Sequence, residues 1–388
     1  IEEGEHLTRA ETLVGYKRCY PDDLVMNIML AWNRGLGFAR HEGVVSPAYS
    51  VFQITGNSSA RYLDYLLRSN ETLIYFKSFS AGVMDSRLRL YPDVFLSMFC
   101  ALPPPAEQRQ IAAFLDRETA KIDALVEEQR RLIDLLKEKR QAVISHAVTK
   151  GLDPTATMKD SGVQWLGEVP AHWRVGPLKR FVTVLSGFAF PSSGFVQRED
   201  AIRLLRGANV GVGSIRWSDV VYWQRRDGDG LDPWELSEGD LVLGMDRPWI
   251  ADGLRIARVS AADLPCLLLQ RVAALRPLAG LEADYLPWLL GGDAFHHHCV
   301  PDMTGVSVPH ISPGQIGDFL VAMPPPEEQE AIAHDLAMAS AREKGLVSEA
   351  EHAIGLLLER RAALISAAVT GKIDVRDTAA AQAALEPA

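Results

Sequence analysis

One long stretch of this chain occurs twice, 221 residues apart. Leu102-Pro103-Pro104-Pro105-Ala106-Glu107-Gln108 returns as Met323-Pro324-Pro325-Pro326-Glu327-Glu328-Gln329. The match continues without a gap to Asp153 and Asp374, with about half of the positions identical. Leu115/Leu336, Leu136/Leu357 and Arg140/Arg361 are among the identities, and Ala147-Val148-Thr149 matches Ala368-Val369-Thr370 near the end. Repetition on this scale sets the architecture before any single motif is considered.

Each copy predicts one long helix. The prolines fix the chain ahead of it and suit its first turn. Glu107 and Glu328 put negative charge at the helix N-terminus, where it is favoured. Gly151 and Gly371 supply the stops. Roughly 44 residues lie between, about 66 Å at 1.5 Å per residue. Apolar positions recur at Ile111, Leu115, Ile122, Leu125, Leu132, Leu136 and Val143, and at Ile332, Leu336, Leu346, Val347, Ile354, Leu357 and Leu364. Such a stripe needs a partner. A whole domain connects the copies, so an antiparallel two-helix coiled coil is expected; the alternative is two bundle helices inside unrelated domains.

The rest of the chain reads as two unlike globular heads of the α+β class. Strands are expected at Leu24–Met29, Val44–Ile54, Leu241–Met245 and Cys266–Leu275, and helices at Ala60–Arg68 and Ala283–Leu290. Asp23-Leu24-Val25 with Trp32 matches Asp240-Leu241-Val242 with Trp249, and Gly82-Val83 matches Gly305-Val306. The expected division is a first head at 1–101, a central helical region and linker at 102–165, a second head at 166–322, a C-terminal helical region at 323–376 and a tail at 377–388. Aligning the landmarks sets Ile1 opposite the region near Ser218, so some 50 residues of the first head are expected to be absent from this chain.

These motifs together resemble the specificity subunit of type I restriction–modification systems. The carriers are Pro103–Leu115 and Pro324–Leu336, Glu138–Asp153 and Glu359–Asp374, the linker Asp160–Trp173, and the runs Gly43–Tyr49 and Gly239–Trp249. The likeness covers nearly the whole chain. It implies two globular α/β target-recognition domains separated by two long helices in an antiparallel coiled coil, with a pseudo-two-fold internal repeat. Each domain would read one half of a split site on double-stranded DNA. The helices would set the gap and dock two methyltransferase subunits, and nuclease–translocase subunits would complete the assembly. S-adenosylmethionine, ATP and magnesium would then belong to partner subunits, with no cofactor and no metal on this chain.

The residues agree that catalysis lies elsewhere. A P-loop needs Gly-Lys before Ser or Thr, and Gly371-Lys372 is followed by Ile373. The proline runs lead into Ala or Glu, not the aromatic residue of an adenine methyltransferase motif, and no Gly-rich cofactor loop is present. None of the ten lysines follows an acid by two positions, as in metal-dependent nucleases, and no Gly-x-Ser-x-Gly elbow occurs. His296-His297-His298-Cys299 fans its side chains apart, so a surface or packing role is expected there.

Base readout needs planar or bidentate groups at a groove. Thirty of the forty basic residues are Arg, the better side chain for guanine edges and phosphates. The DNA-binding candidates in the second head are Arg247 beyond a strand, Gln270-Arg271 side by side, and His310 after the Gly305–Pro309 turn. In the first head they are Arg34, Lys77, Arg87 and Arg89, with Tyr49 as a stacking or hydrogen-bonding partner. Trp32 and Trp249 read as core residues shared by the heads. The net charge of −10 counts against nucleic acid, but residues 1–101 hold 10 basic and 11 acidic side chains while 323–388 hold 6 and 11.

Two rival readings remain: a non-catalytic coiled-coil adaptor whose heads bind proteins, and an enzyme with an unfamiliar site in the heads. No apolar run approaches the roughly 18 residues of a membrane span, and no signal peptide is visible. Four scattered cysteines without a CxxC pair point to reduced thiols, hence to a cytoplasmic protein with no membrane partner.

Overall fold

The structure, a computed structural model, describes residues 14–84, 87–198, 200–251, 253–303 and 308–375. The landmark Gly305-Val306, the tail 377–388 and the first 13 residues lie outside the described residues. The chain divides into two units, one running up to Leu132 and resuming at Ser348, the other Ile133–Val347. Each unit therefore combines one head with half of each long helix.

The first head holds β1 (Lys17–Cys19), β2 (Leu24–Asn27), β3 (Leu36–Phe38), β4 (Gly43–Val45) and β5 (Tyr49–Phe52), then α1 (Ala60–Leu67), α2 (Asn70–Phe79) and α3 (Pro92–Ser97). β2 lies between β3 and β5, antiparallel to both, with Leu24 opposite Phe38 and Phe52. Serine hydroxyls start the helices: Ser59 accepts from the Tyr62 N–H and Ser69 from the Thr72 N–H. Met26, Ala31, Phe76 and Leu90 fill the core between sheet and helices. The long helix α4 (Pro105–Lys150) follows.

The second unit opens with β6 (Met158–Asp160), β7 (Glu168–Pro170) and β8 (Arg174–Pro177). Its head holds β9 (Val182–Ser186), β10 (Ile202–Leu205), β11 (Tyr222–Trp223), β12 (Leu241–Gly244), β13 (Trp249–Ile250), β14 (Gly253–Leu254), β15 (Ile256–Arg258), β16 (Cys266–Leu268) and β17 (Val272–Pro277). Helices α5 (Leu286–Gly291), α6 (Asp293–Cys299) and α7 (Pro313–Asp318), strand β18 (Leu320–Met323) and the second long helix α8 (Pro326–Val369) complete it. The main sheet has the order β15-β12-β17-β9. Its middle is apolar on both faces: all four residues of β12 and the first four of β17 are buried.

The heads share one frame. Asp23 accepts from the Tyr20 N–H at 2.8 Å, and Asp240 from the Ser237 N–H at 3.0 Å, so the same side-chain turn precedes each central strand. Two expected strands are each broken by a turn. Val44–Ile54 is interrupted at Ser46–Ala48, where Pro47 has no N–H for a ladder. Cys266–Leu275 is interrupted at Leu269–Arg271, where Arg271 takes a left-handed φ of 71°. The expected helix Ala283–Leu290 is regular only from Leu286.

Both long helices form over nearly the expected spans, 46 residues for α4 and 44 for α8. Gly151 ends α4 at φ 76°, and a Cβ there would stand 3.2 Å from the Trp173 ring. The helices pair antiparallel in each unit. In the first, Ile111 and Leu115 share a core with Ala368 and Val369, while Asp123 further along meets Arg361. In the second, Arg140 meets Glu343. The apolar stripe is only partly covered. Ile111, Leu115, Ile122, Ile332 and Leu336 are buried, but Leu125, Leu132, Val143 and Leu346 are exposed. Two helices cover only one face of each other, too narrow to hide the whole stripe.

Repeated side chains fix each head to the helices. Gln108 accepts from the Ser59 N–H at 2.8 Å and donates to the Pro103 carbonyl at 2.9 Å. Its counterpart Gln329 accepts from the Glu282 N–H at 2.7 Å and donates to Pro324 at 2.8 Å and Gly280 at 2.9 Å. Both glutamines are buried. At the other helix ends, Ser366 donates to Glu71 in the first turn of α2, and Ser145 to Asp293 in the first turn of α6 at 3.3 Å. Each head is thus held by the start of one helix and the end of the other.

Candidate nucleic-acid interface

In the second head the backbone laces three loops together. Met245 donates its N–H to the Arg271 carbonyl at 2.9 Å and accepts from the Ile311 N–H at 3.0 Å; Arg247 donates to the Pro309 carbonyl at 2.7 Å. Arg247, Gln270, Arg271 and His310, far apart in sequence, therefore converge at the ends of β12 and β17. Asp246 is the junction. Its Oδ1 lies 2.8 Å from Nδ1 of His310 and 3.6 Å from a guanidinium nitrogen of Arg271. Beneath it, Arg255 donates to the carbonyls of Val210 at 2.9 Å and Asp246 at 3.0 Å. Burial draws the Arg255 pKa down, against the pull of Asp246. Asp246 and Arg255 were missed as site residues; the only signal was Asp246 adjoining Arg247, with no periodicity to mark it.

The arginines and polar side chains of this head differ in whether they are held. Arg225 is held by Asp229, Asp232 and Glu235, and its hydrogen bonds pull the Asp229 carboxyl down to about 2. Arg276 is held by Asp240, and Arg206 by Asp219. These pairs tie loops together. Arg247 and Gln270, by contrast, are exposed, and their side chains hold no hydrogen-bond or ion-pair partner among the described residues.

In the first head, Leu90 donates to the Ile28 carbonyl at 2.8 Å, as Ile311 does to Met245. Arg89 therefore occupies the place of His310. Arg87 and Arg89 are exposed, and Arg89 bridges Ala81 through its backbone. Arg34 sits at φ 60° and donates to Asn70 at 2.9 Å. The Lys77 ammonium stands 5.1 Å from the Trp32 ring centroid. Tyr49 lies apart on β5, half-buried, its carbonyl accepting from Lys17 at 2.6 Å. Among the described residues, four non-glycine positions have positive φ, and three of them are candidates: Arg34, Arg247 and Arg271.

Trp32 and Trp249 lie at the margins of the cores and are half-buried, not enclosed. Trp249 packs edge-on to His296 at 4.8 Å. His298 faces the Gln315 carbonyl at 2.9 Å, and Cys299 is buried with its thiol pushed up to about 12. The His296–Cys299 side chains thus serve packing in different directions. No helix among the described residues is long and apolar enough to cross a membrane.

No protein-family model matches the chain. Over 362 residues it is 26% identical to the specificity subunit of the type I restriction enzyme MjaVIII of Methanocaldococcus jannaschii, taking in 90% of this chain and 80% of that protein. A 165-residue stretch, 42% of this chain, is 35% identical to the EcoAI specificity subunit of Escherichia coli and spans 28% of that protein. Among solved structures, a chain from work on complex assembly and conformational transition of the type I R-M system matches with a TM-score of 0.70 and 16% identity, covering 91% of this chain and 83% of that one. The HsdS subunit from Thermoanaerobacter tengcongensis matches at 0.52 and 16% identity, over 92% and 82%. At such identities the structures establish a shared fold.

Proposed function

We propose that this chain, a member of the specificity-subunit family of type I restriction–modification systems, reads a split, asymmetric DNA site with its two heads and directs adenine methylation and restriction by partner subunits. The observation that carries this reading is the repeated clamp. Gln108 to Ser145 and Gln329 to Ser366 are the same 37 residues apart along continuous helices. Like attachments hold unlike heads, which suits a spacer between two different half-site readers.

The reading surfaces are the loop cluster of Arg247, Gln270, Arg271 and His310 in the second head and Arg34, Lys77, Arg87 and Arg89, with Tyr49, in the first. Arg and Gln present bidentate donors and acceptors to guanine and adenine edges. The exposed leucines of α4 and α8 are the docking faces for two methyltransferase subunits, and nuclease–translocase subunits join them. Those partners supply the catalytic groups together with S-adenosylmethionine, ATP and magnesium. The acidic total leaves part of the phosphate contact to the partners as well.

The test is to mix the chain with its methyltransferase partner and DNA and to map the methylated adenines. Methylation confined to one split motif, and only when this chain is present, is the expected result. Methylation indifferent to the chain would favour a protein-binding adaptor.

A further inference from the structure

Phe99–Leu102 and Leu320–Met323 occupy the same repeat positions, each leading into a proline run. In the second head this segment is β18 and pairs antiparallel with β8, Leu320 opposite Pro177 and Met323 opposite Arg174. Val321, Ala322 and Met323 are buried there. In the first head the matching Cys100 and Ala101 are exposed, Phe99 is 89% exposed and Leu102 46%. Phe99–Leu102 also belongs to no strand. An apolar segment with open backbone groups is a template for strand addition.

A second difference names the occupant. Glu328, one turn into α8, accepts from Trp173 Nε1 at 2.9 Å and lies 2.5 Å from His172 Nε2. Those two residues immediately precede β8, so one short segment both pairs with the edge and satisfies the carboxylate. The counterpart Glu107 has neither hydrogen bond nor ion pair among the described residues.

We propose that Phe99–Leu102, together with Glu107, receives an extended polypeptide strand of the pattern that β8 supplies to the second head: His-Trp, then Arg-Val-Gly-Pro-Leu. The strand adds antiparallel, its backbone pairing with Phe99–Leu102. Its valine lies opposite Ala101, as Val175 lies opposite Ala322. Its tryptophan N–H and imidazole reach Glu107. The proline falls at the end of the pairing, where a missing N–H is tolerated. This inference does not rest on DNA reading.

The test is fluorescence anisotropy with a labelled synthetic peptide of the sequence Val169–Phe181, titrated into the full chain. Saturable binding of one peptide per chain is expected. It weakens about tenfold with Glu107→Ala, and about as much when the peptide's tryptophan is replaced by alanine, as loss of a charge-assisted hydrogen bond requires. Glu328→Ala leaves the binding unchanged. Absence of saturable binding overturns the proposal. So does weakening by Glu328→Ala and not by Glu107→Ala, since the peptide would then be displacing β8 in the second head. A dimer of the chain in sedimentation velocity that Phe99→Asp dissolves and the peptide does not compete with would give the edge to a second copy, and overturn it equally.

Discussion

The guanidinium of Arg361 holds the carboxylate of Asp123 across the paired helices, with Nε 2.8 Å from Oδ1 and Nη2 3.2 Å from Oδ2. The repeat counterpart of Arg361 is Arg140, which lies 3.3 Å from Glu343 on the opposite helix. The two pairs differ in surroundings. Asp123 is half open to solvent, whereas Glu343 keeps 14% of its side-chain exposure. Arg140 Nε and Glu343 Oε2 are buried and misaligned, with no hydrogen bond formed. Removing one partner of a buried pair strands a charge; removing one partner of an exposed pair costs little. Arg140→Ala, which strands the mostly buried Glu343, is therefore expected to lower stability by about 2–3 kcal/mol, and Arg361→Ala, which leaves the half-open Asp123, by less than about 1 kcal/mol. Urea unfolding of both variants checks the order, and equal losses would refute it.

Gln108 joins its head to α4 through a buried amide that both accepts and donates. Gln108→Ala leaves the Ser59 N–H and the Pro103 carbonyl without that partner, at a cost of about 1–3 kcal/mol. Amide exchange should rise in α1 of the first head and stay unchanged in α5 and α6 of the second. Gln329→Ala should give the reverse pattern. Exchange rising equally in both heads for either variant would show that the clamps do not act separately.

The helices were largely legible in the sequence because a repeat states the same local solution twice, with a proline run before each helix and a glycine after it. The clamps were not, because the recurrence of Gln108 and Gln329 does not say which backbone groups of the heads their buried amides meet. The shared frame of the heads was legible at Asp23 and Asp240, where a side-chain turn requires that residue. The candidate site was harder. Reading Cys266–Leu275 as one strand would have put Gln270 and Arg271 on opposite faces of a sheet. The left-handed turn at Arg271 lifts both into a loop, and a φ near 70° at an arginine carries no sequence signature. Asp246 escaped notice because its importance lies in contacts with residues 25 and 64 positions away. The exposure of Leu125 and Leu346 was also hidden, since periodicity shows which face is apolar but not how much of it a partner covers.

The clamp on the first head has a titratable member. The Ser366 hydroxyl and a backbone hydrogen bond lower the Glu71 pKa below its ordinary value of 4.5. A lowered folded-state pKa adds stability that is fully present above the unfolded value and lost as pH falls through the folded one. Contact between α2 and the end of α8 should therefore loosen only below about pH 4.5, seen as faster amide exchange in α2. Glu71→Gln should remove that pH dependence. An unaltered acid response in the variant would mean that another group controls it.

Equal helix lengths between the clamps make a test of the spacer. Matching seven-residue deletions from α4 and α8, two turns each, shorten each helix by about 10 Å at 1.5 Å per residue. At 3.4 Å per base pair, the unread gap in the methylated motif should shrink by about three base pairs. Both half-sites should stay as they are. A change in either half-site would remove the spacer role from the helices.

Arg247 and Arg271 stand at φ 45° and 71°, where an L-residue with a side chain pays roughly 1–2 kcal/mol that glycine does not. Folding alone would favour glycine at both positions. Arg247→Gly and Arg271→Gly should thus leave the melting temperature unchanged or slightly raised, the relief of strain offsetting the extra flexibility of glycine in the unfolded chain. If the side chains contact base edges, each substitution weakens binding of the cognate site by about 1–3 kcal/mol and relaxes the sequence requirement at one position of the second half-site only. A phosphate contact would instead weaken all sequences alike and flatten the salt dependence. Methylation mapped across a library of half-site variants separates these outcomes, and wild-type selectivity from both glycine variants would exclude the loop cluster as a reader.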